Sequence, residues 1–331
     1  MTGIVVERCG PVGYLTLAQP ASLNALTLEM VEALHEGLKQ HEADSSVYVV
    51  VLRSASDRAF CAGGDMKRVR QFAIDGDFNN IETFFTKEYA LNLAIAECTK
   101  PYVSLIDGVA MGGGLGLSVH GSFRVVTEKA IMAMPESRIG FFPDVGGSYF
   151  LQRLAHDCGI WLALTAMAVR GPQCVMTGLA THFIEHEQLS TLVGELETLP
   201  PDECENDLTS ATKRVSQLLN THCKNSFDEE FEVQLQARAT WFESRDIDTI
   251  KASLAKETGN EDAQTLLSKL DSGSPHSYAI TLALFKETRN MDLRRCLETE
   301  LKLAKEACAH PDLVEGVRAV LVDKDHKAQW R

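Results

Sequence analysis

The chain has 331 residues, 45% hydrophobic and 24% charged, with 32 Lys and Arg against 46 Asp and Glu for a net charge of −14. This composition is globular and excludes a fibrous or wholly disordered chain. The acid excess argues against nucleic acid as the main partner, because phosphate backbones need a basic footprint, and no run of 18 apolar residues predicts a membrane span.

The start, MTGIVVERCGPVGYLTL, already alternates like a strand and has no signal-peptide pattern, so a cytosolic chain, or an imported one without its leader, is expected. Residues 3–7 and 12–18 flank Gly10 and Pro11 and predict a hairpin. Leu28, Val31, Leu34 and Leu38 then mark one face of a helix that begins after Thr27. Residues 47–52 (VYVVVL) are apolar on both faces, as in a buried strand. Further strands are expected at 102–106, 123–126 and 131–134, with a helical pattern around 82–98. This alternation predicts an α/β core over residues 1–187. From 188 to 331 a helical region is expected to pack on that core, with patterns at 208–219, 227–242, 247–255, 262–270, 277–288 and 293–307. Leu199-Pro-Pro and Ser272-Gly-Ser-Pro punctuate the run. Nine scattered cysteines with no CxxC pair, Cys204 among them, predict reduced thiols rather than a zinc ribbon or disulfide framework.

Three segments carry the candidate chemistry. Two are glycine-rich turns between a strand and a helix: Phe60-Cys-Ala-Gly-Gly-Asp65 and Met111-Gly-Gly-Gly-Leu-Gly116. Glycine allows close backbone approach, and a helix start offers unpaired N–H groups, so two facing turns can hold an oxygen that becomes negative during reaction. Either turn alone reads more simply as a ligand-free tight turn. Neither is a P-loop, since no Gly-Lys-Ser/Thr follows, nor does the spacing match a dinucleotide fingerprint. In the third segment, Met134-Pro-Glu-Ser-Arg-Ile-Gly-Phe-Phe-Pro-Asp-Val-Gly-Gly147, Glu136 and Asp144 stand eight positions apart. A purely structural alternative makes Glu136 a first-turn acid after Pro135 and Asp144 a helix cap.

Taken in this order, CAGGD, MGGGLGLSVHG and AMPESRIGFFPDVGGSYFL resemble the crotonase (enoyl-CoA hydratase/isomerase) superfamily. Within it, FRVVTEKAIMAMPE, FFPDVGGSYFL, GLATHFIE and PDLVEGVRAVLVDKD resemble a thioester-hydrolase branch that acts in valine breakdown. The resemblance is dense over 45–65, 95–187 and 309–330 and weak across 190–300. It implies a spiral of ββα units with a helical C-terminal region. It also implies hydrolysis of an acyl-CoA, 3-hydroxyisobutyryl-CoA, with no metal and no redox cofactor. The backbone N–H groups of Gly64 and Gly113 are then the oxyanion donors. Hydratases of the superfamily carry a glutamate three residues after the second of these glycines. Here that position is Gly116, while Glu136 is kept and Asp144 stands where hydratases usually have glycine. The resemblance makes Glu136 the nucleophile or general base and Asp144 its partner carboxylate. It places Glu88 near the acyl group, although a solvated helix face is an equal alternative. Coenzyme A would meet Ala62, with Arg68, flanked by Lys67 and Arg70, supplying local positive charge. A mitochondrial location and homo-oligomeric assembly are further implied expectations. The competing readings are a hydratase or isomerase on another short acyl-CoA, a hydrolase of 3-hydroxypropionyl-CoA, and a non-catalytic acyl-CoA or protein binder.

Other signals are set aside. His182-Phe-Ile-Glu-His186 spells an inverted zinc-protease motif but follows a turn and reads as a short extended segment. Ser118 and Ser148 lack a nucleophile elbow, His120 reads as structural, and Cys61 has no identifiable histidine partner.

Overall fold

A computed structural model describes residues 2–199, 208–225 and 227–331; the Pro200–Pro201 punctuation and Cys204 lie outside the described residues. By contacts the chain forms two compact units. Residues 1–64, 90–132 and 169–227 make the first, and residues 65–89, 133–168 and 228–331 the second.

The first unit holds the sheets. The expected hairpin is β1 (Ile4–Cys9) and β2 (Val12–Leu17), paired antiparallel with Cys9 opposite Val12. Then follow β3 (Val49–Ser54), β4 (Ala59–Cys61), β5 (Tyr102–Ile106), β6 (Val109–Met111), β7 (Phe123–Val126), β8 (Ile131–Ala133), β9 (Val169–Arg170) and β10 (His182–Phe183). A six-stranded sheet runs β1-β2-β3-β5-β7-β10, and a four-stranded sheet runs β4-β6-β8-β9. Successive strand pairs β3/β4, β5/β6 and β7/β8 each give one strand to the large sheet and one to the small. From β2 onward the large sheet is parallel, which requires crossovers between its strands.

Side chains of a strand alternate between faces. Accordingly Val12 and Tyr14, Val49 and Val51, Val103 and Leu105, and Phe123 and Val125 share one core. Helices Leu189–Glu197 and Leu208–His222 close it through Leu192, Leu196, Val215 and Leu219. Helix Leu28–Ala43 begins where Thr27 accepts the Met30 N–H at 3.3 Å and buries Val31, Leu34 and Leu38 as the periodicity requires. Gly37 lets it lie close to the hairpin, since an added Cβ would stand 2.7 Å from Val6 and 2.8 Å from Leu15.

The second unit is helical. Helices Glu229–Trp241, Ile247–Lys256, Glu261–Ser272, Pro275–Thr288 and Leu293–Ala309 match the sequence periodicities to within a few residues. Each starts at a side-chain cap: Asp228, Asp246, Asn260, Ser274 and Asp292 accept an N–H three residues on. Buried Arg238 makes two bonds to Asp262, at 2.8 and 2.6 Å, and lies 4.5 Å over the Trp161 ring. The pairing and the stacking offset the cost of burying its charge. The PDLVEGV segment forms the helix Pro311–Val317. Its Asp312 is fully buried and accepts the Ser274 hydroxyl at 2.6 Å and the Arg331 N–H at 2.9 Å.

Candidate active site

Ala62, Gly64 and Gly113 fall in the first unit; Arg68, Glu88, Glu136 and Asp144 fall in the second. In the first unit the two glycine turns meet backbone to backbone. Gly63 adopts φ +100°, and a Cβ there would stand 3.0 Å from the Met111 carbonyl oxygen and 3.6 Å from the Gly113 nitrogen. A Cβ on Gly114 would overlap the Cys61 carbonyl. Only glycine permits this approach. The Leu26 N–H bonds to the Gly63 carbonyl at 2.8 Å in an isolated parallel bridge, so the Gly64 N–H is left out of the pairing. Gly113 is the first residue of the short helix Gly113–Gly116. Its N–H therefore has no acceptor within that helix. Gly116 is the last residue of the helix and brings no acid there. Ala62 is tied by its N–H to the Leu23 carbonyl at 3.0 Å. The Cys61 thiol is buried and donates to the Asn24 carbonyl at 3.2 Å. The Ser118 hydroxyl bonds back to the Gly114 and Leu115 carbonyls, both at 3.1 Å.

In the second unit, the helix Phe78–Ala96 and the segment 134–148 bring the acids together. Glu88, Glu136 and Asp144 are only 2%, 5% and 5% exposed. Glu88 is therefore not a solvated helix-face residue. It shares the buried stripe of Ile81, Phe84, Phe85 and Tyr89 on that helix. Glu136 opens the 3-10 turn Glu136–Arg138 after Pro135, and its carbonyl receives the Phe141 N–H at 3.0 Å. Asp144 does not cap a helix with its side chain. Gly146 occupies the N-cap of the helix Gly147–Phe150, and Asp144 contributes only its carbonyl, to the Gly147 N–H at 2.7 Å. Its carboxylate instead accepts the Tyr89 hydroxyl at 2.8 Å.

The surroundings are apolar. Phe85 stacks on Phe141 at 5.5 Å, and Phe141 on Phe142 at 4.6 Å. Burial in this setting disfavours charge. It pushes the Asp144 carboxyl up to about 7, against the pull of the Tyr89 hydroxyl. Glu88 is raised well above the carboxylate range by burial and then by the charge of Asp144. Glu136 is likewise raised well above it by burial, then by Asp144, with Glu88 adding. Oε1 of Glu88 and Oε2 of Glu136 are buried without a hydrogen-bond partner. An orphaned buried oxygen is costly and marks a place prepared for a ligand or a proton.

Two residues of this arrangement escape the sequence reading, Tyr89 and Glu300. Glu300 is fully buried and accepts the N–H of Gly146 at 2.7 Å, and the N–H and hydroxyl of Ser148 at 2.9 and 2.6 Å. Burial raises its carboxyl to about 8. A signal for it was present, because its helix buries Cys296, Leu297, Ala304 and Cys308, and Glu300 falls on that apolar stripe. Asn92, one turn beyond Glu88, is fully buried with neither amide atom partnered.

Of the basic residues on the helix Met66–Asp75, Lys67 and Arg68 are exposed, whereas Arg70 donates to the Val314 carbonyl at 2.8 Å. Asp65 caps this helix through the Arg68 N–H at 3.2 Å. His182 lies on β10 and His186 pairs with Asp107 at 2.9 Å; among the described residues no three potential metal ligands cluster. No helix among the described residues is long and apolar enough to cross a membrane.

A family model described as Enoyl-CoA hydratase/isomerase matches residues 12–331. A mitochondrial 3-hydroxyisobutyryl-CoA hydrolase of Xenopus laevis is 41% identical over 99% of this chain and 84% of its own length. Its counterpart in Homo sapiens is 38% identical over the same shares. Among solved structures, a carnitinyl-CoA dehydratase from Mycobacterium thermoresistibile superposes with a TM-score of 0.88 at 32% identity, covering 99% of this chain and 91% of its own. An enoyl-CoA hydratase from Rhodobacter sphaeroides superposes at 0.87 with 30% identity, covering 99% and 92%. The α/β fold is thus the crotonase fold, and the chain belongs to the enoyl-CoA hydratase/isomerase family.

Proposed function

We propose that this chain is an acyl-CoA thioester hydrolase that converts 3-hydroxyisobutyryl-CoA and water to 3-hydroxyisobutyrate and free CoA, in the mitochondrial setting that its curated relatives' names give. The observation that carries the reading is the pair Glu136 and Asp144, buried together in an aromatic setting, with glycine at position 116. A water-adding enzyme of the family needs its second acid at position 116. In the hydrolase branch that the sequence resembles, the acid stands where Asp144 does.

Attack on the thioester carbonyl places negative charge on its oxygen. The N–H groups of Gly64 and Gly113, which neither the Leu26–Gly63 bridge nor the helix Gly113–Gly116 uses, are the donors assigned to that oxygen. Each preset donor contributes about 3 kcal/mol to lowering the barrier. Glu136 attacks the carbonyl carbon itself, giving an anhydride that water then cleaves to restore Glu136, or takes the proton of the water that attacks; either way the C–S bond breaks and the acyl group ends as a carboxylate. Asp144, oriented by Tyr89, holds the 3-hydroxyl or the water and delivers a proton to the departing thiolate. The buried, orphaned Glu88 oxygen is an acceptor for the acyl hydroxyl. Lys67 and Arg68 are exposed cations assigned to the phosphates of CoA. The residues assigned here need no metal or redox group.

The test is free-thiol release from a panel of short acyl-CoAs, with hydration of crotonyl-CoA followed in parallel. The reading requires 3-hydroxyisobutyryl-CoA to give the highest kcat/KM, with thiol and free acid in equal amounts. Preference for another 3-hydroxyacyl-CoA would change the substrate. Hydration outpacing thiol release would overturn the hydrolase reading.

A further inference from the structure

The turn that carries Asp144 is an anion-binding turn, and the chain fills it with its own glutamate. Val145 and Gly146 both adopt left-handed backbone, at φ +52° and +82°. For a β-branched valine this conformation is strained and persists only when its surroundings enforce it. Consecutive N–H groups in such a turn form a concave ring of donors suited to an anion. Here the Glu300 carboxyl takes the place of an anion. Oε2 takes the Gly146 N–H at 2.7 Å, and Oε1 takes the Ser148 N–H at 2.9 Å and the Ser148 hydroxyl at 2.6 Å. Glu300 is fully buried on the helix Leu293–Ala309, about 150 residues away in sequence. A buried acid that satisfies three donors of one turn fixes that turn's geometry rather than adding a charge to solvent.

Asp144 directly precedes the two left-handed residues and is held from the other side by the Tyr89 hydroxyl at 2.8 Å. Its carbonyl closes the same turn through the Gly147 N–H. We propose that Glu300 is a positioning residue for the reaction: by occupying the N–H ring of the 144–148 turn it holds the Asp144 carboxylate on Tyr89 and beside Glu136. The inference rests on the hydrolase reading for its kinetic consequence, but not for its structural one.

The experiment is Glu300→Gln, which keeps the size of the side chain but turns an amide NH2 toward donors. Two readouts are taken. In a crystal structure of the variant, the Tyr89–Asp144 bond opens beyond hydrogen-bond range; an Asp144 carboxylate unmoved from Tyr89 overturns the proposal. In kinetics, kcat falls about 100-fold, as a misplacement near 1 Å costs, while KM stays within about twofold. A folded variant with wild-type kcat, or one whose loss lies wholly in KM, overturns it. Should Glu300→Gln fail to fold, Ser148→Ala removes one of the three donors without altering charge. It is read the same way, with about a tenfold fall in kcat expected. Failure of the hydrolase reading is distinct: the wild-type chain then gives no thiol from 3-hydroxyisobutyryl-CoA, and the structural readout still decides the role of Glu300.

Discussion

Glu136 and Asp144 are ordinary acids made unusual by what surrounds them. A carboxyl that would titrate near 3.8 in water is held up to about 7 at Asp144, because burial penalises its charged form more than the Tyr89 hydroxyl supports it. Glu136 must be ionised to act as nucleophile or base, and its proton is retained by burial and by the neighbouring charge of Asp144. The rise of kcat with pH should therefore lie well above the ordinary carboxylate range, not near pH 4. Asp144→Asn removes that charge, lowers the pKa of Glu136 and moves the rise to lower pH, while cutting kcat through loss of the partner acid. A stopped-flow thiol assay from pH 5 to 9 reads both effects; an unmoved limb would remove Asp144 from the field acting on Glu136. At this scale the sequence showed Glu136, Asp144 and Glu88 because they sit in or near dense motifs. It did not show Glu300, whose isolated charge on an apolar helix stripe has no motif around it. Nor did it show Tyr89, whose role lies in one hydroxyl bond across 55 residues.

At the scale of elements, periodicity and caps carried most of the information. The five helices between Glu229 and Ala309 start at Asp, Asn or Ser, and their apolar faces repeat at helical spacing, so their bounds were legible. The pairing of strands into two sheets was not, because β4, β6 and β8 are three residues each and carry no alternation to read. The glycine turns gave chemical type but not packing. Their close approach is set by the Cys61 carbonyl, which a side chain at position 114 would strike. Gly114→Ala should therefore destabilise the chain by about 1–3 kcal/mol, the usual cost of overpacking, and lower kcat along with it. Denaturant unfolding with a thiol assay checks this; a variant with unchanged midpoint and turnover would show that the turns have room.

Across the whole molecule, the buried acids give stability and activity opposite responses to pH. Asp144 and Glu300 are raised to about 7 and about 8, and Glu88 and Glu136 are raised as well. In the unfolded chain these groups release their protons near their ordinary values of 3.8 and 4.5. The folded state then binds more protons, so stability falls as pH rises. For Asp144 and Glu300 the contribution is complete below the unfolded values and is lost as pH rises through about 7 to 8; Glu88 and Glu136 act in the same direction. The midpoint of thermal unfolding should be higher at pH 6 than at pH 8.5, and Glu88→Gln should flatten the slope. A slope that the substitution leaves unchanged would place the linked protons elsewhere. The burial of Glu88 and Glu136, each with an oxygen that has no hydrogen-bond partner, is hard to explain by folding alone, since an apolar residue at either site would avoid the cost of burial. It is explained if the acids are kept for chemistry on a thioester.

The most direct measurement of that claim is thiol release from 3-hydroxyisobutyryl-CoA by Glu136→Gln, with coenzyme A binding and thermal unfolding followed on the same sample. The account predicts turnover reduced to background while binding and unfolding stay near those of the unaltered chain. Turnover close to that of the unaltered chain would contradict it and take Glu136 out of the mechanism.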